Sequence, residues 1–556
     1  MTTKFIAKQQ TSVAKFIFVS GGVISGLGKG ITTASIGLLL KSSGLKVSAV
    51  KCDMYLNIDA GTMNPLEHGE IFVTDDGTEA DQDLGHYERF LDVPLARENY
   101  ITAGQIYQRV LEKERALEYD GKCVEAYYHV PPEIISRFEA LGKKAEVVLI
   151  EFGGTVGEYQ NIMFFEAARR MKIKYKENVL FVHVGYLPIP PSIGEMKTKP
   201  LQQSIHELNE LGIQPDIVIC RAEKEIDSRR KEKVALAAAL EANDIFSNPD
   251  LPSIYEVPLI LEKQRLTKKI LEKLNLKTKK KDLSSWKKMV KQINRVCCFA
   301  IKEVKKEVKI ALVGKYYTSG GFSLEDSYIS VVEAIKHAAW KNGVKPKIVW
   351  FDSERIEKEG VEGLEGVAGI IVPQGWGSRG VEGKIKAVKF ARENKIPYLG
   401  LCFGMQMAVI EFGRHVIGLK GANSTEVNPK TSYPVIHIMP DQKEYLEKHQ
   451  YGGTIRLGAW KCRVLPGTKL AQSYGRTGII SERHRHRYEF NNKYLKQFEK
   501  AGMKISGVSP DGKLIEAVEI PNHPFFVGTQ FHPEYKSRPL SPHPLFLEFI
   551  KAAIKC

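Results

Sequence analysis

Short, continuous apolar runs alternate with segments of helical periodicity along most of this chain. In the first part of the sequence, the apolar runs are residues 15–20, 46–52, 146–152, 178–184 and 216–221. A strand that is apolar along its whole length must be buried on both faces, so these runs predict a parallel sheet covered by helices on both sides.

A second series of apolar runs follows at residues 308–314, 347–352, 369–375 and 397–404. The 556 residues are too many for one hydrophobic core. The stretch between the two series is polar and basic, so we place the domain boundary there. We predict an α/β fold with two domains, residues 1–275 and 308–556, joined by a linker at 276–307.

The formal net charge of +16 raises the alternative of nucleic-acid binding. Much of the excess positive charge lies in residues 271–292, which we interpret as a solvated linker and helix face. No nucleic-acid motif accompanies it, and no apolar run reaches the roughly 18–20 residues that span a bilayer. The sequence therefore predicts neither a nucleic-acid partner nor a membrane partner.

The eight cysteines are scattered without zinc-site spacing, and the first residues lack the apolar core of a signal peptide. Both features favour a cytoplasmic protein.

The most reactive candidate in the C-terminal half is Cys402, in the run G-L-C-F-G-M-Q at residues 400–406. Flanking glycines permit the sharp strand-to-helix turn of a nucleophile elbow, and a helix N-terminus favours the thiolate. Far downstream, His532 follows a strand-like run and can act as general base, oriented by Glu534. The alternative is a buried small residue in a glycine-rich turn.

Backbone N–H groups can complete such a site. The turn P-Q-G-W-G at residues 373–377 follows another predicted strand, and we expect the N–H groups of Gly375 and Phe403 to form an oxyanion hole. These three features, in this order, resemble a class I glutamine amidotransferase with the triad Cys402–His532–Glu534. The same resemblance implies that Gln406, Glu426 and Arg487 bind glutamine. The R-H-R-H-R run at 483–487 has a simpler alternative, a solvated basic strand.

One departure from this family lies beside the expected oxyanion hole. Gln374 stands where the family usually has glycine. If that position needed positive φ, a glutamine would cost about 1 kcal/mol or more. Either the glutaminase is weakened or the turn tolerates the change.

A glycine-rich loop follows the first predicted strand. Residues 21–30 read G-G-V-I-S-G-L-G-K-G and open a helix. Glycines let backbone N–H groups approach phosphates, and Lys29 can reach the outer phosphates of a nucleotide. We expect phosphate contacts from Ser25, Gly26, Leu27, Gly28, Lys29 and Gly30. The spacing is one residue longer than in a strict P-loop, and Gly30 replaces the usual Ser or Thr.

Together with the C-terminal half, longer motifs resemble the CTP synthase family over essentially the whole chain. They occupy residues 51–57, 61–70, 81–90, 151–157 and 194–200. The resemblance implies that ATP phosphorylates the 4-oxygen of UTP and that ammonia from glutamine then displaces phosphate, giving CTP. It also implies Mg²⁺, GTP as an allosteric activator, an internal ammonia tunnel and a homotetramer.

The resemblance assigns roles residue by residue. Lys51 and Asp83 would contact ATP, while Asp83 and Glu151 would hold Mg²⁺ through hard oxygen ligands. His68 matches a position at the tunnel mouth, and Arg379 matches a position tied to the GTP effect. The positions that would bind the acceptor nucleotide are Ser25, Glu125, Glu158, Gln160, Lys197, Thr198, Lys199, Gln202 and Lys233.

Several departures fall on recognition of the bases. Glu125 and Gln160 replace a glutamine and a glutamate of the family pattern, Glu158 replaces an aspartate, and Ala237 stands where an aromatic residue usually flanks adenine. Such polar changes can alter substrate choice strongly. Two alternatives therefore stay open: a paralogue that aminates another nucleotide or oxo-heterocycle, and a catalytically impaired scaffold or filament subunit.

Overall fold

The computed structural model describes residues 14–278, 281–297, 307–316, 318–319, 322–323, 325–439, 442, 444–445, 448 and 452–556. The chain divides into two compact units. The first unit contains the chain up to Ile58 and then Glu98–Ser284, and the second contains Asp59–Arg97 and Ser285–Cys556.

A parallel sheet forms the centre of the first unit. Its strands are apolar on both faces, as expected for a sheet covered by helices on both sides. In spatial order they are Tyr100–Thr102, Val47–Asp53, Val147–Phe152, Lys15–Gly22, Val179–Tyr186, Ile217–Ala222 and Ile245–Pro249.

Helices cover both faces of this sheet. One face packs aromatic side chains around Phe18, whose ring lies 5.3 Å from that of Phe181 and 5.8 Å from that of Phe138. The α-helices of this unit are Lys29–Ser42, Ala103–Arg115, Ala126–Gly142, Ile162–Tyr175, Lys199–Glu210, Ser228–Ala237, Val257–Lys263 and Leu266–Lys273. Short 3-10 turns lie at Tyr159–Asn161, Lys176–Asn178, Ala242–Asp244 and Ile254–Glu256.

The second unit is built on a mixed sheet whose parallel half carries the nucleophile. Five parallel strands come first, and antiparallel strands extend the sheet on one side. In spatial order they are Lys345–Asp352, Glu307–Gly314, Gly369–Val372, Tyr398–Leu401, Phe526–Thr529, Ile515–Glu519, Lys504–Val508, Arg456–Val464 and Gly478–His486.

Both faces of this sheet are buried as well. Along the strand Glu307–Gly314, Ile310 and Leu312 join one apolar cluster, whereas Ala311 and Val313 join another. The period of two puts neighbouring side chains on opposite faces. The α-helices of this unit are Pro65–His68, Asp83–Leu91, Ser284–Cys297, Ile329–Lys341, Ser353–Glu359, Val381–Glu393, Phe403–Phe412, Lys469–Tyr474, Leu495–Lys500 and Pro544–Lys555, the third of which begins at the unit boundary.

Smaller elements complete the second unit. Strands Ile71–Val73 and Glu79–Asp81 form a hairpin, and Asn423–Ser424, Pro434–Ile438 and Tyr488–Phe490 form a small sheet. Strands Thr318–Ser319 and Phe322–Ser323 pair with each other. A π-helical turn at Gly413–Ile417 continues the helix Phe403–Phe412. The remaining 3-10 turns are Arg97–Asn99, Glu325–Tyr328, Glu362–Leu364, Asn492–Tyr494 and Pro533–Lys536.

The predicted α/β fold class is confirmed, and each apolar run named above contains a strand. The predicted runs at 369–375 and 397–404 are longer than the strands Gly369–Val372 and Tyr398–Leu401, because both runs continue into turns that carry candidate site residues. The strands at Ile245–Pro249 and Tyr100–Thr102 were not predicted.

The domain boundaries stay a prediction. Of the predicted linker, residues 279–280 and 298–306 lie outside the described residues. Within it, Ser284–Cys297 form an amphipathic helix that buries Trp286, Val290 and Ile293. Residues 59–97, predicted to belong to the N-terminal domain, cluster with the C-terminal residues in the second unit.

Among the described helices, none combines the length and hydropathy needed to cross a membrane.

Candidate active site

Cys402 lies in a tight turn between the strand Tyr398–Leu401 and the helix Phe403–Phe412. Its φ of 52° is in the left-handed region, which is unfavourable for a residue with a side chain. A Cβ on Gly404 would lie 2.0 Å from the carbonyl oxygen of Val372, and one on Gly400 would lie 2.7 Å from the Tyr398 hydroxyl. Both glycines are therefore required by close packing, which accounts for the G-x-C-x-G spacing.

The structure brings the three predicted triad residues together. Nδ1 of His532 lies 2.8 Å from Oε1 of Glu534, and both side chains are fully buried. Burial by itself lowers the pKa of His532, but negative charge on Glu534 and on Cys402 outweighs it and raises that pKa to about 10. The imidazolium form of His532 is thereby favoured beside Cys402, which is the arrangement of a cysteine nucleophile with its general acid and base.

Gln530 also contacts the nucleophile, and it was missed in the sequence. Its side-chain Nε2 donates to Sγ of Cys402 at 3.5 Å, while its Oε1 accepts from Nε2 of Gln406 at 3.3 Å. Gln530 is completely buried. The available signal was a polar residue at the end of an apolar strand, two positions before the predicted base.

The turn predicted to form the oxyanion hole is buried at Gly375. The Gly375 N–H makes no hydrogen bond to any residue that the structure describes, so it is available to a ligand. Phe403 opens the nucleophile helix, where backbone N–H groups lack partners within the helix. Gln374 does not have positive φ, so the departure from the family at this position causes no left-handed strain. The backbone conformation therefore does not require glycine here, although Oε1 of Gln374 is buried without a hydrogen-bond partner among the described residues.

The residues predicted to bind glutamine lie in the same unit and are buried or nearly so. Oε1 of Glu426 accepts from the Gly377 N–H at 2.6 Å. Burial raises the pKa of Glu426, although charge on Lys315 and Arg487 opposes this. Arg487 donates to Gln442 Oε1 at 3.1 Å and to Thr454 Oγ1 at 2.9 Å.

Gln406 is the third residue predicted to bind glutamine. Its Nε2 donates to the Tyr488 carbonyl at 2.9 Å. Its Oε1 is buried without a hydrogen-bond partner among the described residues. A buried acceptor without a partner is costly unless a ligand satisfies it.

Two buried lysines lie under the oxyanion turn, and neither was singled out from the sequence. Nζ of Lys315 donates to the carbonyls of Gly377 and Arg379 at 3.0 and 3.1 Å. Nζ of Lys384 donates to the carbonyl of Pro373 at 2.9 Å. Burial lowers the pKa of Lys315 to about 8 and lowers the pKa of Lys384 well below its usual value.

Arg379, predicted to transmit the GTP effect, is exposed beside this turn. Its Nη2 donates to the Lys315 carbonyl at 2.6 Å, and its Nη1 lies 2.8 Å from Oε1 of Glu354. The structure thus ties Arg379 to the segment that carries Lys315.

The R-H-R-H-R run is buried, so its interpretation as a solvated basic strand is wrong. Arg483 donates to both carboxylate oxygens of Glu88 at 2.9 and 3.0 Å, and Arg485 lies 2.8 Å from Glu79. Both acidic residues come from the 59–97 segment of the same unit. The basic strand can be buried because distant carboxylates neutralise it, which a local sequence pattern does not reveal.

Two other predicted residues also come from the 59–97 segment. Nε2 of His68 lies 3.6 Å from Oδ2 of Asp81. The backbone N–H of Asp83 donates to Oδ1 of Asp81 at 2.7 Å, at the start of the helix Asp83–Leu91. Asp83 therefore presents a carboxylate at a helix N-terminus.

In the first unit, the predicted phosphate cradle joins the strand Lys15–Gly22 to the helix Lys29–Ser42. Gly26 and Gly28 have φ of 71° and 83°, which glycine adopts readily. The Leu27 carbonyl accepts from Nε of Arg221 at 3.2 Å. Ser25 and Gly26 thus belong to a turn that ends at a helix N-terminus, and Gly30 lies in the first turn of that helix, where backbone N–H groups favour anions.

Three predicted charged residues of the first unit lie at the carboxyl ends of adjacent strands or just beyond them. Nζ of Lys29 donates to the Gly154 carbonyl at 2.8 Å. Nζ of Lys51 lies 3.1 Å from Oε1 of Glu151, and all three side chains are buried. Ligands commonly bind at this edge of a parallel sheet.

A cavity of about 740 Å³ is lined by one of the residues predicted to bind the acceptor nucleotide. Glu158 lines it, and its carboxylate accepts from Oγ1 of Thr155 at 2.8 Å and from Nε2 of Gln160 at 2.7 Å. Val23 of the cradle and Glu207 line the same cavity. Glu158 and Gln160 are therefore brought together.

The remaining acceptor residues occupy helix starts and exposed positions. Nζ of Lys197 lies 2.7 Å from Glu195, and Nε2 of Gln202 donates to Oγ1 of Thr198 at 3.2 Å. Thr198 precedes the helix that begins at Lys199. Two further members of the predicted set, Glu125 before the helix Ala126–Gly142 and Lys233 in the helix Ser228–Ala237, are exposed.

Comparisons with known proteins agree with this geometry. The family described as "CTP synthase N-terminus" matches residues 15–276, and the family described as "Glutamine amidotransferase class-I" matches residues 323–552. A CTP synthase of Caldanaerobacter subterraneus is 50% identical over 98% of this chain and 98% of its own length. A CTP synthase of Sulfolobus acidocaldarius is 52% identical over 97% of this chain and 100% of its own length.

A solved structure of the glutaminase domain of a Trypanosoma brucei CTP synthase, with bound acivicin, is 39% identical and covers 45% of this chain and 94% of that chain, with a TM-score of 0.41. The family assignment rests on the two CTP synthases above, since each aligns with nearly the whole of this chain and shares about half of its residues. The chain belongs to the CTP synthase family.

Proposed function

We propose that this chain converts UTP to CTP, using ATP to activate the 4-oxygen of UTP and glutamine as the source of nitrogen. The observation that carries this proposal is the assembly of Cys402, His532 and Glu534 in a chain that aligns with CTP synthases over nearly its full length. ATP dependence and the use of glutamine and UTP are properties of the family to which the chain belongs.

The glutaminase half-reaction follows from the triad. The Cys402 thiolate attacks the carboxamide carbon of glutamine, and the resulting oxyanion accepts hydrogen bonds from the N–H groups of Gly375 and Phe403. The His532 imidazolium gives its proton to the leaving nitrogen, so ammonia departs and a thioester remains. His532 then takes a proton from water, which attacks the thioester and releases glutamate.

Glutamine would be held by complementary charge. The Glu426 carboxylate suits the α-ammonium group, and the Arg487 guanidinium suits the α-carboxylate. The unpaired buried Oε1 of Gln406 offers an acceptor for an N–H group of the substrate. We propose these three residues as the glutamine-binding side chains.

The ligase half-reaction uses the first unit. The 4-oxygen of UTP attacks the γ-phosphorus of ATP, which gives ADP and a 4-phosphorylated intermediate. Ammonia then adds at C4 and phosphate leaves, so that CTP, ADP, phosphate and glutamate are the products. Lys29 and Lys51 supply positive charge for the phosphates.

Mg²⁺ suits this chemistry, and we propose Asp83 and Glu151 as its ligands. Carboxylate oxygens are the ligands that this ion prefers, and Glu151 is buried with Nζ of Lys51 3.1 Å from its Oε1. When bound, the ion neutralises charge on the transferred phosphoryl group.

Finer features of the proposal come from the family resemblance. They are an ammonia tunnel with His68 at its mouth, GTP activation through Arg379, a homotetramer and a cytoplasmic location. Acceptor binding by Ser25, Glu125, Lys197, Thr198, Lys199, Gln202 and Lys233, and by the paired Glu158 and Gln160, belongs to the same proposal.

The test is an assay of the purified full chain with ATP, MgCl₂ and glutamine, in which UTP is compared with other nucleoside triphosphates. CTP formation with UTP, and no aminated product with the others, is the expected result. Product formation only with another acceptor would favour a paralogue of different substrate. Absence of product with both glutamine and ammonium chloride would favour an inactive scaffold.

A further inference from the structure

Lys384 is completely buried in the second unit, although an ammonium group is costly to bury. It belongs to the first turn of the helix Val381–Glu393, where the helix dipole is positive and disfavours a cation. A second buried lysine, Lys315, is close enough to lower its pKa further. Burial, the helix dipole and the neighbouring Lys315 thus all disfavour the charged form of Lys384.

The contacts of Lys384 are concentrated on one turn. Its Nζ donates to the Pro373 carbonyl at 2.9 Å and lies 3.4 Å from the Gln374 carbonyl. A Cβ on Gly375 would lie 3.4 Å from the same nitrogen. Lys384 is therefore packed directly under the residues that lead to the available N–H group of Gly375.

The geometry of the peptide bond links this contact to the orientation of the Gly375 N–H group. In a planar trans peptide the carbonyl oxygen and the next N–H point in opposite directions, and the described residues contain no cis peptide. A hydrogen bond from Lys384 to the Gln374 carbonyl therefore turns the Gly375 N–H away from the lysine. The same contact holds the peptide plane in one orientation.

The other expected oxyanion donor is touched as well. Nζ of Lys384 lies 5.3 Å from the centre of the Phe403 ring, and Nζ of Lys315 lies 4.9 Å from it. The amino group of Lys384 therefore lies against this aromatic face, towards which an N–H group is weakly attracted. The amino group of Lys384 thus contacts the peptide that carries the Gly375 N–H and lies near the ring of Phe403, which carries the other N–H group.

We propose that Lys384 is a positioning residue that pre-organises the oxyanion hole of the glutaminase by holding the Pro373 and Gln374 carbonyls and the Phe403 ring. This inference rests on the proposed glutaminase function. Fixed donors stabilise a transition-state oxyanion because they need no reorganisation when charge develops. Loss of the lysine frees the turn, so the cost falls on kcat rather than on substrate binding.

The test variant is Lys384→Met, which keeps an unbranched apolar stem and removes the donor. The matched control is Lys386→Met, two residues along the same helix, where the lysine is exposed and donates to the Glu357 carbonyl. Glutamate release from glutamine, ammonia-dependent CTP formation, and alkylation of Cys402 by iodoacetamide are measured for each protein.

We expect Lys384→Met to lower kcat for glutamate release about 10- to 100-fold, with KM for glutamine changed less than about threefold. Ammonia-dependent CTP formation and alkylation of Cys402 stay at wild-type rates, because neither uses the oxyanion hole. The control variant keeps its kcat. An unchanged kcat in Lys384→Met, a change in KM alone, or an alkylation rate that falls in step with kcat would overturn the proposal.

If Lys384→Met also loses ammonia-dependent activity, the fold is affected and Lys384→Gln is used instead. Its amide is shorter than the lysine side chain, so its donor reaches the Pro373 and Gln374 carbonyls less well. A kcat below that of wild type supports the proposal, while a wild-type kcat overturns it. Failure of the proposed function is recognised separately, since wild-type protein would then make no CTP from either nitrogen source while glutamate release still reports on Lys384.

Discussion

Nδ1 of His532 lies 2.8 Å from Oε1 of Glu534, and this buried contact sets the charge of the histidine. The carboxylate contributes to raising the pKa of His532 to about 10, together with charge on Cys402 and against the effect of burial. At neutral pH the ring is therefore an imidazolium, ready to protonate the nitrogen that leaves glutamine.

Replacement of Glu534 is expected to shift the pH dependence of the glutaminase. Glu534→Gln removes the negative charge, so the pKa of His532 falls, and glutamate release declines at a lower pH than in wild type, where it declines near pH 10. The measurement is kcat/KM for glutamate release between neutral and strongly alkaline pH, because this parameter reports the ionisation of the free enzyme. Identical alkaline limbs in the two proteins would show that Glu534 does not control His532.

The same pair makes stability depend on pH. The pKa of His532 is about 10 when folded and about 6.5 when unfolded, so the folded state binds the proton more tightly. This contribution is complete below pH of about 6.5 and is lost as pH rises towards 10. The difference in melting temperature between wild type and Glu534→Gln should therefore shrink from pH 6 to pH 10. A difference that is constant over this range would contradict the linkage.

Gly404→Ala should abolish glutamine use. The added Cβ would lie 2.0 Å from the Val372 carbonyl, so the nucleophile turn must shift. Gly413→Ala is the control, since its Cβ would meet neighbours at 3.4 Å or more without positive φ. Glutamate release is measured for both, and equal activity in the two variants would show that the turn adapts.

The buried pair Arg483–Glu88 is expected to matter for stability. Arg483→Met leaves a buried carboxylate without one of its partners, which typically costs about 3–5 kcal/mol. Arg355→Met is the control, because the Arg355–Glu359 pair is exposed and such pairs contribute little to stability. Thermal unfolding is followed for both variants. Similar melting temperatures for Arg483→Met and Arg355→Met would mean that the stability of the protein does not depend on the Arg483–Glu88 pair.

Lys29→Met should impair the ATP-dependent ligase half-reaction. The variant loses the cation expected to reach the phosphates of ATP, so CTP formation falls with both glutamine and ammonia. Lys41→Met, in the last turn of the same helix, is the control and keeps both activities. Wild-type CTP formation by Lys29→Met would remove the loop from the proposed ATP site.

Local patterns predicted much of this molecule. Strands that are apolar on both faces can be recognised directly in the sequence. The glycines around Cys402 predict a turn, but only the structure shows that Gly404 is required by close packing against Val372. The grouping of Cys402, His532 and Glu534 was predicted from motifs that follow apolar runs, together with the family resemblance. The backbone conformation of Gln374 could not be predicted from the sequence, since only the structure shows that this position lacks positive φ.

Features that depend on distant partners were not predictable. The basic strand at Arg483–Arg487 reads as exposed until Glu88 and Glu79 are placed beside it. Lys384 reads as an ordinary helical lysine until the helix is packed under the oxyanion turn. Glu88 lies 395 residues from Arg483 in the sequence. Pro373 lies only 11 residues from Lys384, but the packing of the turn against the helix is a tertiary contact that a local pattern does not reveal.

Cys402→Ala tests the separation of the two sites. The variant lacks the nucleophile, so glutamine-dependent CTP formation is lost, while formation from ammonium chloride continues because it bypasses the thiol. Rates with the two nitrogen sources are compared with wild type. Equal loss of both activities would contradict a scheme with two sites.

The central claim is that nitrogen released at Cys402 becomes the 4-amino group of CTP. The most direct measurement supplies ATP, MgCl₂, UTP and glutamine labelled with ¹⁵N in its amide, and determines the label in the product by mass spectrometry. The account predicts CTP that carries one ¹⁵N from wild-type protein and none from Cys402→Ala. Glutamate release by wild-type protein without labelled CTP would contradict it.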